Sequence, residues 1–204
     1  MKSILDCWRP YFLFLLMLFF YPKLWCKNYE YSQMLCQKKG YRCVKIKRKD
    51  SWSHLFPEIN QQMLMKKINR YNEFLKPGMI LAVPETLQGK TLLDFSPFLR
   101  AIPSYHEKVI LVDQRQLAWG AFNESGQLVR WGPVSTGTNR CLESATGCLT
   151  PTGTFRMIRK RGRECVSKSL PEVISGDHGG AYMPYCMYFN KGYAFHGSDS
   201  IPGY

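Results

Sequence analysis

From residue 109 onward the chain is a series of short apolar runs separated by turn residues. The first run is Val-Ile-Leu-Val-Asp at 109–113, the second spans 116–122, and Asn-Glu-Ser-Gly at 123–126 separates it from Leu-Val-Arg-Trp at 128–131. Short apolar runs bounded by turn signals are typical of buried β-strands. We therefore predict a mainly β fold for this part of the chain. Further strand is predicted at 155–158 and 181–195.

The preceding part of the chain predicts a small unit with the order strand, helix, helix, strand. Residues 43–47 alternate apolar and basic side chains as a half-exposed strand does. Ser51 is a suitable N-cap for a short helix that Pro57 ends, a second helix fits 61–69, and an apolar strand fits 79–83. The face of the second helix that is predicted to pack inward carries Met63, Leu64 and Ile68.

The N-terminus carries an export signal. Residues 11–21 are an unbroken apolar run that follows a segment with two basic residues. A helix of that length rises only about 16 Å, which is short of the roughly 30 Å hydrocarbon core, so a signal peptide or signal anchor over 1–26 fits better than a spanning helix. Residues 27–40 are polar without a clear period, and we predict a linker there.

Eight cysteines fit an oxidising compartment and agree with export to the periplasm or cell envelope. Several connectivities are possible, and the equal spacing within two of the pairs favours local loops. The chain contains no Cys-x-x-Cys pair and no His-x-x-x-His, so we predict no metal site and no cofactor. The predicted disulfides are Cys141–Cys148, Cys165–Cys186 and Cys36–Cys43.

The net charge of +13 indicates anionic partners. An exported chain with disulfides meets anionic cell-wall polymer and lipid head groups, so we predict no nucleic-acid partner and contact with the membrane only through the N-terminal segment. The densest basic run, at 156–163, reads Arg-Met-Ile-Arg-Lys-Arg-Gly-Arg. It fits either a solvated hairpin or a rim that binds carboxylates, because arginine forks match carboxylate geometry.

Three motifs precede or surround a histidine near the end of the chain. They are Pro-Val-Ser-Thr-Gly at 133–137, Thr-Pro-Thr-Gly-Thr-Phe at 150–155, and Phe-His-Gly-Ser at 195–198. His196 follows the apolar run 187–195, which predicts a buried strand, and opens a loop, as an acid/base residue often does. With these motifs in this order, residues 108–204 resemble the YkuD-type L,D-transpeptidases.

This resemblance implies a β-sandwich of two mixed sheets and a cysteine nucleophile. In that family the cysteine is acylated by the L-centre carbonyl of a peptidoglycan stem tetrapeptide, expels D-alanine, and passes the acyl group to an amine of a neighbouring diaminopimelate. The resemblance implies that His196 with Gly197 is the acid/base position. It also implies substrate contacts from Ser198, Tyr185 and Met183.

The nucleophile of the family lies in a Ser-His-Gly-Cys segment beyond the His-Gly, and the sequence ends at Tyr204 without it. We therefore expect an incomplete catalytic domain that is inactive as a chain of 204 residues. Cys186 is a poor substitute, since in one extended strand it would lie about 33 Å from His196.

Residues 41–84 resemble a lysin motif (LysM), a peptidoglycan-binding module. The likeness rests on Asp-Ser-Trp at 50–52, on Ile68-Asn69 with Asn72, and on Leu-Lys-Pro-Gly-Met-Ile-Leu-Ala-Val-Pro at 75–84. The predicted divisions are a signal segment (1–26), a linker (27–40), a LysM-like module (41–85), a connector (86–106) and an L,D-transpeptidase-type domain (107–204).

Two functions are compatible with these features. The first is an exported peptidoglycan L,D-transpeptidase family member that remodels the cell wall through stem peptides and glycan. The alternative is a non-catalytic peptidoglycan-binding protein.

Overall fold

The computed structural model describes residues 27–137, 149–167 and 182–198. The predicted signal segment and the predicted Cys141–Cys148 pair lie outside these residues. Within the described ranges no helix is long and apolar enough to cross a membrane. The elements are α1 (Lys27–Cys36), β1 (Tyr41–Lys45), α2 (Trp52–Leu55), α3 (Ile59–Asn69), β2 (Ile80–Pro84), a 3-10 turn (Leu92–Phe95), β3 (Val109–Asp113), β4 (Ala118–Phe122), β5 (Leu128–Pro133), β6 (Arg159–Lys160), β7 (Met187–Asn190) and β8 (Tyr193–Phe195).

The order strand, helix, helix, strand is confirmed for the N-terminal unit. Strands β1 and β2 pair antiparallel, from Tyr41 opposite Pro84 to Lys45 opposite Ile80. The Ser51 hydroxyl caps α2 by accepting from the His54 N–H at 3.1 Å, as predicted. Strands β1 and β2 and the helices of this unit enclose a core that contains Met65, Ile68 and Leu81.

Two sequence predictions for this unit are wrong. Residues 27–40 are not an irregular linker, because α1 occupies most of that range and buries Tyr31 and Leu35 in the core. These two residues are spaced i, i+4, which places them on one helix face. On α3 the prediction is wrong for Met63, which is exposed, and it omitted Met65, which is fully buried; Ile68 is buried and Leu64 packs against the core, as predicted.

Asn69 fixes the position of β2 against α3. Its Nδ2 donates to the carbonyls of Met65 (2.9 Å) and Ala82 (3.0 Å), and its Oδ1 accepts from the Ala82 N–H at 2.8 Å. The side chain therefore provides hydrogen-bond partners for the Ala82 N–H and C=O on the edge of β2 that is not paired with β1. Because Asn69 must face β2, the neighbouring residues Met65 and Ile68 share its buried face.

The C-terminal half is mainly β. One antiparallel sheet has the order β3-β4-β5 and another has the order β6-β7-β8. Every strand pair in the described residues is antiparallel, and the two-sheet sandwich with mixed sheets stays a prediction.

Three strand predictions need correction. Residues 109–113 are not buried, because β3 lies at an edge of its sheet and Ile110, Leu111 and Val112 are 38–40% exposed. Residues 155–158 are irregular, and the strand is the adjacent β6. Residues 187–195 are not one buried strand. They form a hairpin of β7 and β8, in which Met187–Asn190 are half-buried and the turn at Lys191, whose φ of 47° is left-handed, and Gly192 is exposed.

The two halves meet at the side chain of Arg70, which is buried at the C-terminal cap of α3. Its guanidinium lies between the rings of Tyr31 and Trp131, with 4.6 and 4.7 Å to the ring centroids. It donates to the Tyr31 hydroxyl at 3.0 Å and, across the junction, to the Gln116 carbonyl at 3.2 Å. Burial lowers the pKa of Arg70 to about 10, with the phenols of Tyr31 and Tyr41 opposing this effect. The side chain therefore stays cationic at neutral pH.

Replacement of Asn69 by alanine tests the clamp on β2. The change leaves the Ala82 N–H and C=O without their side-chain partner, so we expect the free energy of unfolding to fall by about 1 to 3 kcal/mol. Urea denaturation of the full chain measures it. Gln61→Ala, at an exposed site on the same helix, is the matched control and should change stability by less than about 0.5 kcal/mol. Equal losses in the two variants would contradict the role of Asn69.

Candidate functional site

His196 follows the last residue of β8, and the backbone on each side of it is held in place. On one side, the Phe195 ring packs edge-to-face against Trp119 of β4 with 5.6 Å between centroids. On the other, the Gly197 N–H donates to the Pro184 carbonyl at 2.8 Å. A Cβ on Gly197 would lie 3.2 Å from that carbonyl oxygen, so glycine allows this close approach. The imidazole itself is exposed.

The hydrogen bond of the His196 ring determines which nitrogen can accept a proton. Nδ1 lies 2.7 Å from the Gly197 carbonyl oxygen. A carbonyl oxygen only accepts, so Nδ1 carries the hydrogen in this arrangement, and in the neutral ring Nε2 keeps its lone pair. His196 is thereby oriented to accept a proton from a group on the exposed side and to return it, as an acid/base residue requires.

The three predicted substrate contacts lie in different environments. Tyr185 is 61% exposed and has a left-handed φ of 57°, and its N–H donates to the Gly162 carbonyl at 2.8 Å. Ser198 follows Gly197 and is half-buried. Met183 is buried beside the Cys165 and Cys186 sulfurs. Tyr185 and Ser198 therefore each follow one partner of the hydrogen bond between Pro184 and Gly197, whereas Met183 packs against the disulfide.

Two described cysteines of the C-terminal half, Cys165 and Cys186, are joined in a disulfide. Cys165 and Cys186 are fully buried and bonded, with 6.1 Å between their Cα atoms, as predicted. The premise of the distance argument against Cys186 is wrong, because residues 187–195 form a hairpin in which Met187 pairs with Phe195, and Cys186 and His196 are each the next residue beyond that pair. The disulfide is the reason why Cys186 is not a nucleophile, because a sulfur that is bonded to another sulfur is not a thiolate. Cys36 and Cys43 are also bonded.

The motifs that sequence analysis singled out come together in space. The Gly137 N–H donates to the Thr150 hydroxyl at 2.9 Å, which joins the Ser-Thr-Gly and Thr-Pro-Thr-Gly motifs. The Phe155 ring that ends the second motif packs on Phe189 of β7 at 5.2 Å. Both motifs therefore support the hairpin that carries His196.

Sequence reasoning missed the aromatic support of the site. Trp119 lies under Phe195, and its indole nitrogen is buried without a hydrogen-bond partner among the described residues. Tyr188 lies beside the disulfide, with its hydroxyl 3.9 Å from the Cys165 sulfur. Their alternation with small or polar residues on short strands was the available signal. Within the described ranges no cluster of three or more His, Cys, Asp or Glu could hold a metal ion.

Comparison with known families agrees with the placement of these motifs. Residues 107–202 match the family model of the YkuD L,D-transpeptidase catalytic domain. The match covers the Ser-Thr-Gly, Thr-Pro-Thr-Gly and His-Gly motifs and ends in the last residues of the chain. No curated protein and no solved structure matches the chain. The predicted YkuD resemblance is thus confirmed for the C-terminal half.

The disulfide predicts that Cys186 cannot be acylated. After incubation of the oxidised chain with a carbapenem, an acylating inhibitor of the kind that the YkuD resemblance suggests, we expect no adduct on Cys165 or Cys186. Intact-mass measurement and peptide mapping check this. Reduced, unfolded protein treated with iodoacetamide is the control that both peptides are detectable. A carbapenem adduct that disappears in Cys186→Ser would show that Cys186 is a nucleophile.

Proposed function

We propose that this chain is an exported protein of the L,D-transpeptidase class and that the site around His196 recognises peptidoglycan stem peptides. The observation that carries the proposal is the YkuD match over residues 107–202, which includes a histidine whose Nδ1 is held by its neighbour's carbonyl and whose ring is exposed. The YkuD family acts on peptidoglycan, which supports stem peptides as the substrate.

The chemistry of the class assigns a clear task to His196. A cysteine thiolate attacks the L-centre carbonyl of the stem, the C–N bond to D-alanine breaks, and the departing amine needs a proton. The amine of a second stem then attacks the thioester and loses a proton as the thiolate leaves. His196 Nε2 can take the proton of the thiol as the thiolate forms, give that proton to the departing amine, and later take the proton that the second amine loses. The thiolate does not come from Cys165 or Cys186, which are bonded to each other.

The proposal also includes the N-terminal unit. Its strand, helix, helix, strand order and the Asn69 clamp support a LysM-like module that contacts glycan. The apolar run at 11–21 and the disulfides support export to the periplasm or cell envelope, with the membrane contacted only through residues 1–26. On this view one chain holds both the sugar strand and the peptide of the cell wall.

A specific observation favours the alternative, which is peptidoglycan binding without turnover. The four described cysteines form two disulfides, so none of these four offers a thiolate. Recognition of a stem peptide at the His196 site does not depend on a thiolate, so binding without turnover is the second candidate function.

Co-sedimentation of the full chain with purified sacculi tests this function. We expect binding to intact sacculi and weaker, residual binding after an amidase has removed the stem peptides, because only the glycan contact remains. Tyr185→Ala should lower the affinity for intact sacculi about tenfold, as loss of an aromatic contact commonly does. The matched control is Tyr105→Ala, since Tyr105 is equally exposed (60%) and lies before β3.

Three outcomes would contradict the proposal. They are no binding to intact sacculi, equal binding with and without stem peptides, and an equal effect of the two tyrosine substitutions.

A further inference from the structure

The sheet β6-β7-β8 brings part of the basic run 156–163 beside His196. Its ladder places Arg159 opposite Tyr188, and Tyr188 opposite Ala194. The next row is Lys160, Met187 and Phe195. Residues opposite each other in an antiparallel sheet share a face, and successive rows alternate faces. Arg159 is therefore on one face, and Phe195, which packs on Trp119, is on the other.

The ladder continues for one more row past the end of β6. The Arg161 N–H donates to the Cys186 carbonyl at 2.9 Å, and His196 is the residue after Phe195 on β8. If the β7–β8 register is continued by one residue beyond Met187 and Phe195, the third row is Arg161, Cys186 and His196, on the same face as Arg159. Two strand spacings separate Arg161 from His196, which is about 10 Å.

The Arg159 guanidinium is already oriented. It lies over the Tyr188 ring at 4.4 Å from the centroid, and Tyr188 is held beside the buried disulfide. Stacking of this kind leaves the edge of the guanidinium, with its N–H donors, available to a ligand. Among the described residues, Arg156 pairs with Glu107 and Arg100 pairs with Asp94, whereas neither Arg159 nor Arg161 has a carboxylate partner there.

We propose that Arg159 and Arg161 form a carboxylate clamp that positions a stem peptide for His196. The inference rests on the proposed function and names the chemistry that the site selects. The backbones of Arg161 and His196 are about 10 Å apart, which is about three residues of an extended peptide, so the clamp fits a carboxylate that lies further along the stem than the residue next to the reacting carbonyl. The clamp therefore selects an internal carboxylate of the stem, rather than the terminal carboxylate of the departing D-alanine.

Calorimetric titration of the full chain with a synthetic stem tetrapeptide tests the clamp. The probes are the tetrapeptide and three forms, each with one carboxylate converted to the amide. We expect one internal amide to weaken binding about tenfold or more, because a charge-assisted, two-point contact is lost. The double variant Arg159→Ala/Arg161→Ala should show the same loss with the unmodified tetrapeptide and no further loss with that amide.

Two control variants separate fork geometry from net charge. Arg42→Ala/Lys45→Ala removes two exposed cations from β1 and should leave the affinity within about twofold. Arg159→Lys/Arg161→Lys keeps the charge without the fork and should lose most of the effect.

The outcomes distinguish this inference from the proposed function. If the wild-type chain binds no tetrapeptide, the proposed function fails and the clamp fails with it. If the tetrapeptide binds equally well to wild type and to Arg159→Ala/Arg161→Ala, the function stands and the clamp is wrong. An equal loss in the β1 control would show general charge attraction, and it would overturn the clamp too.

Discussion

A buried cation between two aromatic rings joins the two halves of this chain. Arg70 contacts Tyr31 from α1 and Trp131 from β5, and it donates to the Gln116 carbonyl just before β4. Removing a charge from water is costly, and here the rings and the hydrogen-bond acceptors around the guanidinium compensate for it. The arrangement succeeds only if both halves are folded, because each contributes part of the cage.

The sheet β3-β4-β5 carries both this interaction and a contact of the candidate site. Trp131 of β5 pairs with Gly120 of β4, and its neighbour Gly132 pairs with Trp119. Since successive residues of a strand face opposite sides of a sheet, Trp131 contacts Arg70 on one face, and Trp119 contacts Phe195, the residue before His196, on the other.

Local sequence patterns predicted the position of most strands and helices but not which residues of distant segments they contact. Apolar runs and turn residues located β3, β4 and β5, and the Ser51 cap located α2. Helix α1 was missed because its composition is polar and only Tyr31 and Leu35 show its buried face. The hairpin after Met187 was predicted to be one strand, so Cys186 and His196 were predicted to lie far apart. The burial of Arg70 has no local signal, since its partners come from three distant segments.

The site itself divides in the same way. The motifs predicted His196 and Gly197 because each belongs to a short pattern, and the Cys165–Cys186 bond was predicted because cysteines on neighbouring strands can reach each other. The row of Arg161, Cys186 and His196 depends on strand register, which the sequence does not show. Strand register also determines which residues of the basic run share a face with the candidate site.

The most direct test of the account is to map where a stem tetrapeptide binds, using two-dimensional NMR of the isotope-labelled full chain. The account predicts that the resonances of His196, Gly197, Tyr185, Arg159 and Arg161 shift together and saturate at one affinity. Shifts confined to β1 and α1, or no shifts at saturating peptide, would contradict it.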